Sequence, residues 1–316
     1  MLDGLAGTGA RGIRLAVEGP EMNIHINDRG AGAYNIILKN IRLNGLKGIR
    51  KNIKPNDDKD IVTSKQDLYA LLPTGKWDWI DIDPYGSPII FVDQAAQRLS
   101  GDGVLSVTAT DTAPLCGTFS KACRRRYMAK PLNTGCRHET GLRILVGAVI
   151  RRAAVTDIAL TPELAYYQGH FFRAYFRKAG SARKADALLK RVGYLIFNGG
   201  EYSISSDCPA GKSWAGPLWL GDLFERKLIR EMLAKADEYM SKDTLKLLGI
   251  LSDELLQPPY FYHTDDIART FRVEPPRTAA AVDVLREQGF KASLVHYDTK
   301  GFRTDAGLKD LRKVLE

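Results

Sequence analysis

The sequence predicts an α/β fold built on a doubly wound parallel sheet, and three observations carry that reading. Short apolar runs alternate with helical patterns through the first half of the chain. A glycine-rich turn separates the first apolar run from the first helix. Aspartates stand at or just beyond the ends of the runs, where a parallel sheet opens its ligand crevice. Taken in order, Met1–Ala6 reads as a strand, Arg11–Glu18 as a helix and Met22–Asn27 as a second strand. Ala31–Leu43 is a helix, with apolar residues at 33, 36, 37, 38 and 41. Ile61–Thr63 and Trp77–Ile82 are strands, Ile89–Leu99 a helix, Gly103–Thr108 a strand and Leu142–Ala154 an apolar helix with basic ends. Thr156–Tyr167 and His170–Arg177 complete the sheet as an antiparallel pair.

Beyond Ala179 the pattern changes. Gly180–Lys184 reads as a loop or linker, which places a domain division at 1–180 and 181–316. Leu223–Glu238 and Thr244–Gln257 are amphipathic helices. A helix opening on Thr264-Asp265-Asp266, a break at Glu274-Pro275-Pro276 and a helix closing at Gly289 follow. Lys291–His296 and Phe302–Thr304 then form a hairpin turning at Asp298–Gly301. These pieces match either a winged helix-turn-helix or a helical cap on the preceding domain.

Composition narrows the function classes. The 316 residues are 44% hydrophobic and 26% charged, as in an ordinary globular protein. Apolar stretches such as Ile144–Ile150 fall far short of the ~20 residues of a membrane span. Residues 1–10 lack a basic segment followed by an apolar one, and the chain is expected to be cytoplasmic and off the membrane. Four cysteines make no disulfide scaffold. Cys116, Cys123, Cys136 and Cys208 lack the paired spacing of a zinc site, so no metal is expected. The net charge is +9, and residues 121–152 hold nine Lys/Arg against one acid, Glu139. Tyr127 and His138 interleave with those cations, which points to a nucleic-acid backbone bound through Arg124, Arg125, Arg126, Lys130 and Arg137.

The turn after the first strand carries G-x-G-x-x-G at Gly7, Gly9 and Gly12, where side chains would obstruct a cofactor's approach to the backbone. Asp28 ends the next strand 19 residues after Gly9, the place of a ribose-binding carboxylate. A dinucleotide and S-adenosyl-L-methionine both suit this pattern. Asp3, on the strand itself, favours the second, because a carboxylate there meets a cationic sulfonium rather than a pyrophosphate. Asp67 follows the third strand region and either accepts from the adenine amine or caps a helix.

Asp83-Pro84-Tyr85 closes the fourth strand and is similar to the Asp/Asn-Pro-Pro-Tyr motif of amino-methyltransferases. The chemistry is specific. An exocyclic amine is a weak nucleophile because its lone pair delocalises into the base. A carboxylate and backbone carbonyls that accept its N–H bonds return that pair to nitrogen and aim it. Proline fixes the turn, and Tyr85 offers a ring for stacking. A plain Asp-Pro turn is the competing reading.

Over its whole length the chain resembles the tRNA (guanine-26 N2) dimethyltransferases. The resemblance rests on Leu2–Arg14, Asp81–Pro88, Val107–Gly117, Cys136–Gly147 and Gly216–Gly221. It implies a class I S-adenosylmethionine-dependent methyltransferase (Rossmann-like) sheet with a smaller α+β C-terminal domain that helps to hold tRNA. The implied reaction is mono- then dimethylation of guanine 26 on N2, by a chain expected to act as a monomer. Asp28 is implied at the ribose, Asp67 at the adenine and Asp83 as the catalytic carboxylate with Tyr85 beside the base. Thr110 and Asp111 lie near the site by topology, and His138 and Glu139 are either structural or tRNA-facing. Family members carry an Asn-Arg-Asp segment ahead of the glycine turn, whereas this sequence starts on the first strand. That difference leaves a second expectation open: an RNA-binding protein that keeps the fold with impaired catalysis.

Overall fold

Parallel pairing gathers the carboxyl ends of six strands along one edge. In the computed structural model, which describes residues 1–50, 60–211, 213–236 and 240–315, β1 (Leu2–Asp3) is followed by α1 (Ala10–Glu18), β2 (Ile24–Asn27) and α2 (Ala31–Leu43). Next come β3 (Lys47–Arg50), β4 (Asp60–Ser64), α3 (Leu68–Leu71), β5 (Trp77–Ile82), α4 (Ile89–Arg98) and β6 (Leu99–Ala109). The order β3-β4-β2-β1-β5-β6 is parallel throughout, and β8 (Phe171–Lys178) then β7 (Leu160–Gln168) extend it to eight strands. The chain works outward from β1 on one side and returns to β1's other side with β5. That reversal opens a crevice at the carboxyl ends of β1 and β5.

Contacts group the chain into two units. The first comprises Met1–Thr110, Val149–Thr161 and Tyr175–Asp186; the second comprises Asp111–Ala148, Pro162–Ala174 and Ala187–Glu316. The grouping is thus not a single cut near residue 180. Nor is 180–184 a linker, because α8 (Ala182–Leu189) begins inside it.

In the first unit an isoleucine cluster (Ile13, Ile24, Ile26, Ile37, Ile41 and Ile61) fills the space between the sheet and helices α1 and α2. Each such side chain contributes about 1.5–3 kcal/mol on burial. Gly12 is the point of closest approach: a Cβ there would lie 2.7 Å from Ile26 Cγ1, so only glycine lets α1 sit down on β2.

The second unit holds α5 (Thr112–Leu115), α6 (Ser120–Tyr127) and the first two-thirds of α7 (Arg137–Ala154), which starts five residues before the predicted helix. A three-stranded sheet follows, in the order β10 (Glu201–Ser205), β9 (Val192–Asn198), β11 (Trp214–Trp219). Then come α9 (Arg226–Ala234) and α10 (Lys242–Asp253); the last two residues of the predicted helix Leu223–Glu238 lie outside the described residues. The chain closes with β12 (Tyr262–His263), α11 (Thr264–Phe271), α12 (Thr278–Glu287), β13 (Ala292–Leu294), β14 (Gly301–Thr304) and α13 (Leu308–Leu315), with sheet order β12-β14-β13. Both expected helices and the expected hairpin strands are therefore present as elements. Among the described residues no helix is long and apolar enough to cross a membrane.

A buried ion cluster ties α7 to these C-terminal elements. Arg303, on β14, donates to Glu139 Oε1 and Oε2 (2.9 and 3.1 Å) and to Glu254 Oε1 (3.0 Å). Arg143 Nε donates to Glu139 Oε1 at 2.9 Å, and its NH1 donates to the carbonyls of Trp219 and Gly221. Burial pushes the Glu254 carboxyl up, but His296 at 2.7 Å and Arg303 more than offset this and hold it below its usual range. Glu139 is structural, as one of its two expectations had it. Removing one partner strands its neighbours without solvent. Arg303→Ala is therefore expected to lower the unfolding free energy by about 3–5 kcal/mol in a urea titration.

Candidate active site

The glycine turn is braced from below by carboxylates. Gly9 takes the left-handed conformation (φ 75°) as the N-cap of α1, which lets the turn enter the helix without strain. Asp28 Oδ2 accepts from Gly7 N–H (2.9 Å) and Oδ1 from Gly30 N–H (2.8 Å), so this carboxylate fastens the turn to the end of β2. Space above Gly7 is open, with nothing within 4 Å of where a Cβ would stand. Asp3 is buried at the floor. Its Oδ2 accepts from Gly12 N–H at 3.3 Å, and its Oδ1 has no hydrogen-bond partner. Burial, reinforced by Asp81 and only partly countered by Arg11, pushes the Asp3 carboxyl up to about 7.

Asp67 takes the capping role that was its alternative. Its Oδ1 accepts from Tyr69 N–H (2.9 Å), opening α3, and its Oδ2 faces Arg29 at 3.6 Å. The link between β2 and β4 is Asn27, a fully buried residue that sequence reasoning passed over. Its amide donates to the carbonyls of Gly4 (2.9 Å) and Gln66 (3.1 Å), and its Oδ1 accepts from Ser64 and from Gln66 N–H.

Across the crevice, Asp83 follows the last residue of β5. Arg11 donates to its Oδ2 at 2.6 Å, and among the described residues nothing meets Oδ1. Arg11 also pairs with Asp81 Oδ2 at 2.5 Å. Asp81 lies opposite Asp3 in the β1–β5 register, so three carboxylates converge around one guanidinium. The turn itself is pinned: Gly86 N–H donates to Thr110 Oγ1 (2.7 Å), and Thr110 N–H returns a bond to the Gly86 carbonyl (3.0 Å). That gives Thr110 a structural duty. Pro84 is half-buried and the Tyr85 ring stands fully exposed. The glycine turn, Asp28, Asp3 and the Asp83 turn thus share one edge of one sheet, with open space at Gly7 and, in Asp83 Oδ1, a carboxylate oxygen that has no partner among the described residues.

Over residues 1–316 the chain matches the family described as N2,N2-dimethylguanosine tRNA methyltransferase. It belongs to that family. A Pyrococcus abyssi protein named tRNA (guanine(26)-N(2))-dimethyltransferase is 38% identical over 97% of this chain and 83% of its own length. The protein of the same name from Thermococcus kodakarensis is 36% identical over 100% of this chain and 86% of its own. The solved structure of Trm1 from Pyrococcus horikoshii with S-adenosyl-L-methionine is similar at a TM-score of 0.92 and 37% identity, covering 99% of this chain and 87% of that one. The large sheet, with β8 placed between β6 and β7, is the class I methyltransferase sheet of this family.

The basic residues lie in the second unit and divide by environment. Arg124 and Arg125 are exposed on α6, whose other face buries Cys123 and Tyr127. Arg126 donates to Asp111 Oδ2 at 2.9 Å, and Tyr127 OH donates to Asp111 Oδ1 at 2.5 Å, so part of the Arg126 charge is met within the protein. Lys130 lies over the Trp214 ring at 4.1 Å. Arg137 is half-buried at the start of α7, next to His138, whose ring stacks on Tyr167 at 4.3 Å. Burial, with Arg137 adding to it, lowers the His138 pKa.

The raised Asp3 carboxyl fixes a sign for pH dependence. From about pH 4 to 7 the unfolded chain has lost this proton and the folded chain still holds it, so raising the pH costs stability until both are ionised. Asp3→Asn is expected to gain on the wild type by about 2–3 kcal/mol between pH 5 and pH 8, in urea unfolding followed by circular dichroism.

Proposed function

We propose that this chain transfers methyl groups from S-adenosyl-L-methionine to the exocyclic N2 of guanine 26 in tRNA, first one and then a second. The observation that carries the reading is the open Oδ1 of Asp83, held across the crevice from a glycine turn with free space above it. The residues present suit the cofactor: the unpartnered buried oxygen of Asp3 favours a cationic ligand, and the open surface at Gly7, with Gly9 and Gly12 shaping the turn, leaves room beside Asp28 for a ribose. Asp67, half exposed with its Oδ2 3.6 Å from Arg29, is read as the acceptor for the adenine amine. When bound, S-adenosyl-L-methionine supplies an electrophilic methyl group on sulfur.

The protein's own part is positioning. In this reading Asp83 Oδ1 accepts an N2–H of guanine, and the Pro84 carbonyl accepts the other. Together they localise the nitrogen lone pair and aim it at the methyl group. Asp83 takes up the proton that leaves N2. Tyr85, exposed on the rim, stacks on the base.

The first unit carries this chemistry and the second helps to hold the tRNA, with the helices α11 and α12 and the β13–β14 hairpin acting as a winged-helix-like contact. The cations Arg124, Arg125, Arg126, Lys130 and Arg137 neutralise backbone phosphates. The chain is read as a monomer, and its substrate supports a cytoplasmic enzyme. The binding-only alternative has no observation in its favour, since the relatives matched over nearly the whole chain carry the name of an enzyme.

Labelled methyl transfer to an unmodified tRNA transcript tests the reading. Wild-type protein is expected to label a G26 transcript and not an A26 one, and Asp83→Ala to lose at least about 100-fold in kcat with cofactor binding retained. Equal labelling of both transcripts removes the substrate assignment. Replacing Arg124 and Arg125 together by Ala is expected to weaken tRNA binding and to flatten the slope of log K against log salt by about 1–2, read by fluorescence titration.

A further inference from the structure

Arg11 holds the second helical position of α1 and is 72 residues from Asp83 in sequence, yet its guanidinium bridges the two carboxylates at the end of β5. One nitrogen lies 2.5 Å from Asp81 Oδ2 and the other 2.6 Å from Asp83 Oδ2. These two partners differ in freedom. Asp81 is fully buried, and its Oδ1 accepts from Ser106 Oγ at 2.9 Å, which in turn accepts from Trp79 Nε1 at 2.9 Å. Asp83 lies just past the strand with its side chain 31% exposed, and Arg11 is its one side-chain partner among the described residues. The fixed end is thus Asp81 and the adjustable end is Asp83.

A planar fork with two donor edges suits this work. It lies in ion-pair contact with one carboxylate while donating a directed hydrogen bond to the other, which a flexible point charge does poorly. By occupying Oδ2, the fork restrains rotation of the Asp83 carboxylate about its Cβ–Cγ bond and leaves Oδ1, which has no partner among the described residues, as the available acceptor. We infer that Arg11 is a positioning residue for methyl transfer: anchored by the Ser106–Asp81 pair, it sets the plane of the Asp83 carboxylate so that Oδ1 meets the guanine N2–H. Arg11 acts through Asp83 and does not itself touch the base. The inference rests on the reading of Asp83 as the amine acceptor.

The test compares Arg11→Ala, Arg11→Lys and Asp83→Asn, each as the full chain with its melting temperature recorded. Steady-state methyl transfer to a G26 transcript supplies kcat and KM, and calorimetry supplies the Kd of S-adenosyl-L-methionine. Arg11→Ala is expected to lose about 10- to 100-fold in kcat, with cofactor Kd and tRNA KM within about 3-fold of wild type. Added guanidinium ion is expected to restore part of that kcat in Arg11→Ala and none in Asp83→Asn, and Arg11→Lys to fall between wild type and Arg11→Ala. Wild-type kcat in Arg11→Ala overturns the inference, as does a loss that appears only in cofactor Kd or tRNA KM. If Arg11→Ala does not fold, Asp81→Asn replaces it. That variant keeps the Ser106 contact and removes the anchor, so it is expected to show the same kcat-specific loss, and an unchanged kcat overturns the inference. Full kcat in Asp83→Asn refutes the acceptor reading itself, whereas loss in Asp83→Asn beside wild-type kcat in Arg11→Ala refutes only the role of Arg11.

Discussion

Three carboxylates meet at the carboxyl edge of the sheet, and a single guanidinium answers two of them. Asp3 and Asp81 are brought side by side by the β1–β5 register, and Asp83 follows two residues later. Like charges at such spacing repel strongly wherever water is thin. The protein relieves the repulsion in two ways: Arg11 pairs with Asp81 and Asp83, and Asp3 shifts toward its neutral form. What remains is a pocket floor with an unanswered oxygen on Asp3. An arrangement of this kind adds little to folding and suits a ligand that brings its own positive charge. The glycine turn, the Asp28 brace and the pinned Gly86 turn are all disposed around that floor.

Much of this edge was legible because its signals are local. Asp3, the three glycines and Asp28 fall within one strand–turn–helix–strand stretch, and Asp83-Pro84-Tyr85 is contiguous. Arg11 sits inside the same motif but gave no signal, since its partners are 70 and 72 residues away and become neighbours only through the β1–β5 pairing. Asn27 was hidden for the same reason: its partners come from two different turns. Asp67 suits either role by its place in the sequence, and local geometry realises the cap.

Elements were harder to read where propensity and context disagreed. The β9–β11 sheet has no clear signature in the sequence because its strands lie among glycines and polar turns without clean alternation. The strand β3, flanked by Asn44-Gly45 and charged residues, carries no apolar run. Helix α8 begins within a segment whose Gly180 and Ser181 argue for a loop, although Ser181 merely precedes the first helical residue. The charge count of residues 121–152 also overstated the surface field. Arg143 is fully buried, and Arg126 and Arg152 are paired with Asp111 and Asp93, so the cations free to meet phosphate are fewer than the nine in the sequence.

The buried cluster of Glu139, Arg143, Glu254 and Arg303 joins residues as much as 164 positions apart. Its two carboxylates answer two guanidiniums and the His296 ring, and no solvent stands by to replace a missing member. Divergence at these four places must therefore be concerted: a lineage that loses one charge has to lose or invert its opposite nearly at once. A hybrid gene that joins the first half of one relative to the second half of another keeps both halves foldable only when the two parents agree on this arithmetic.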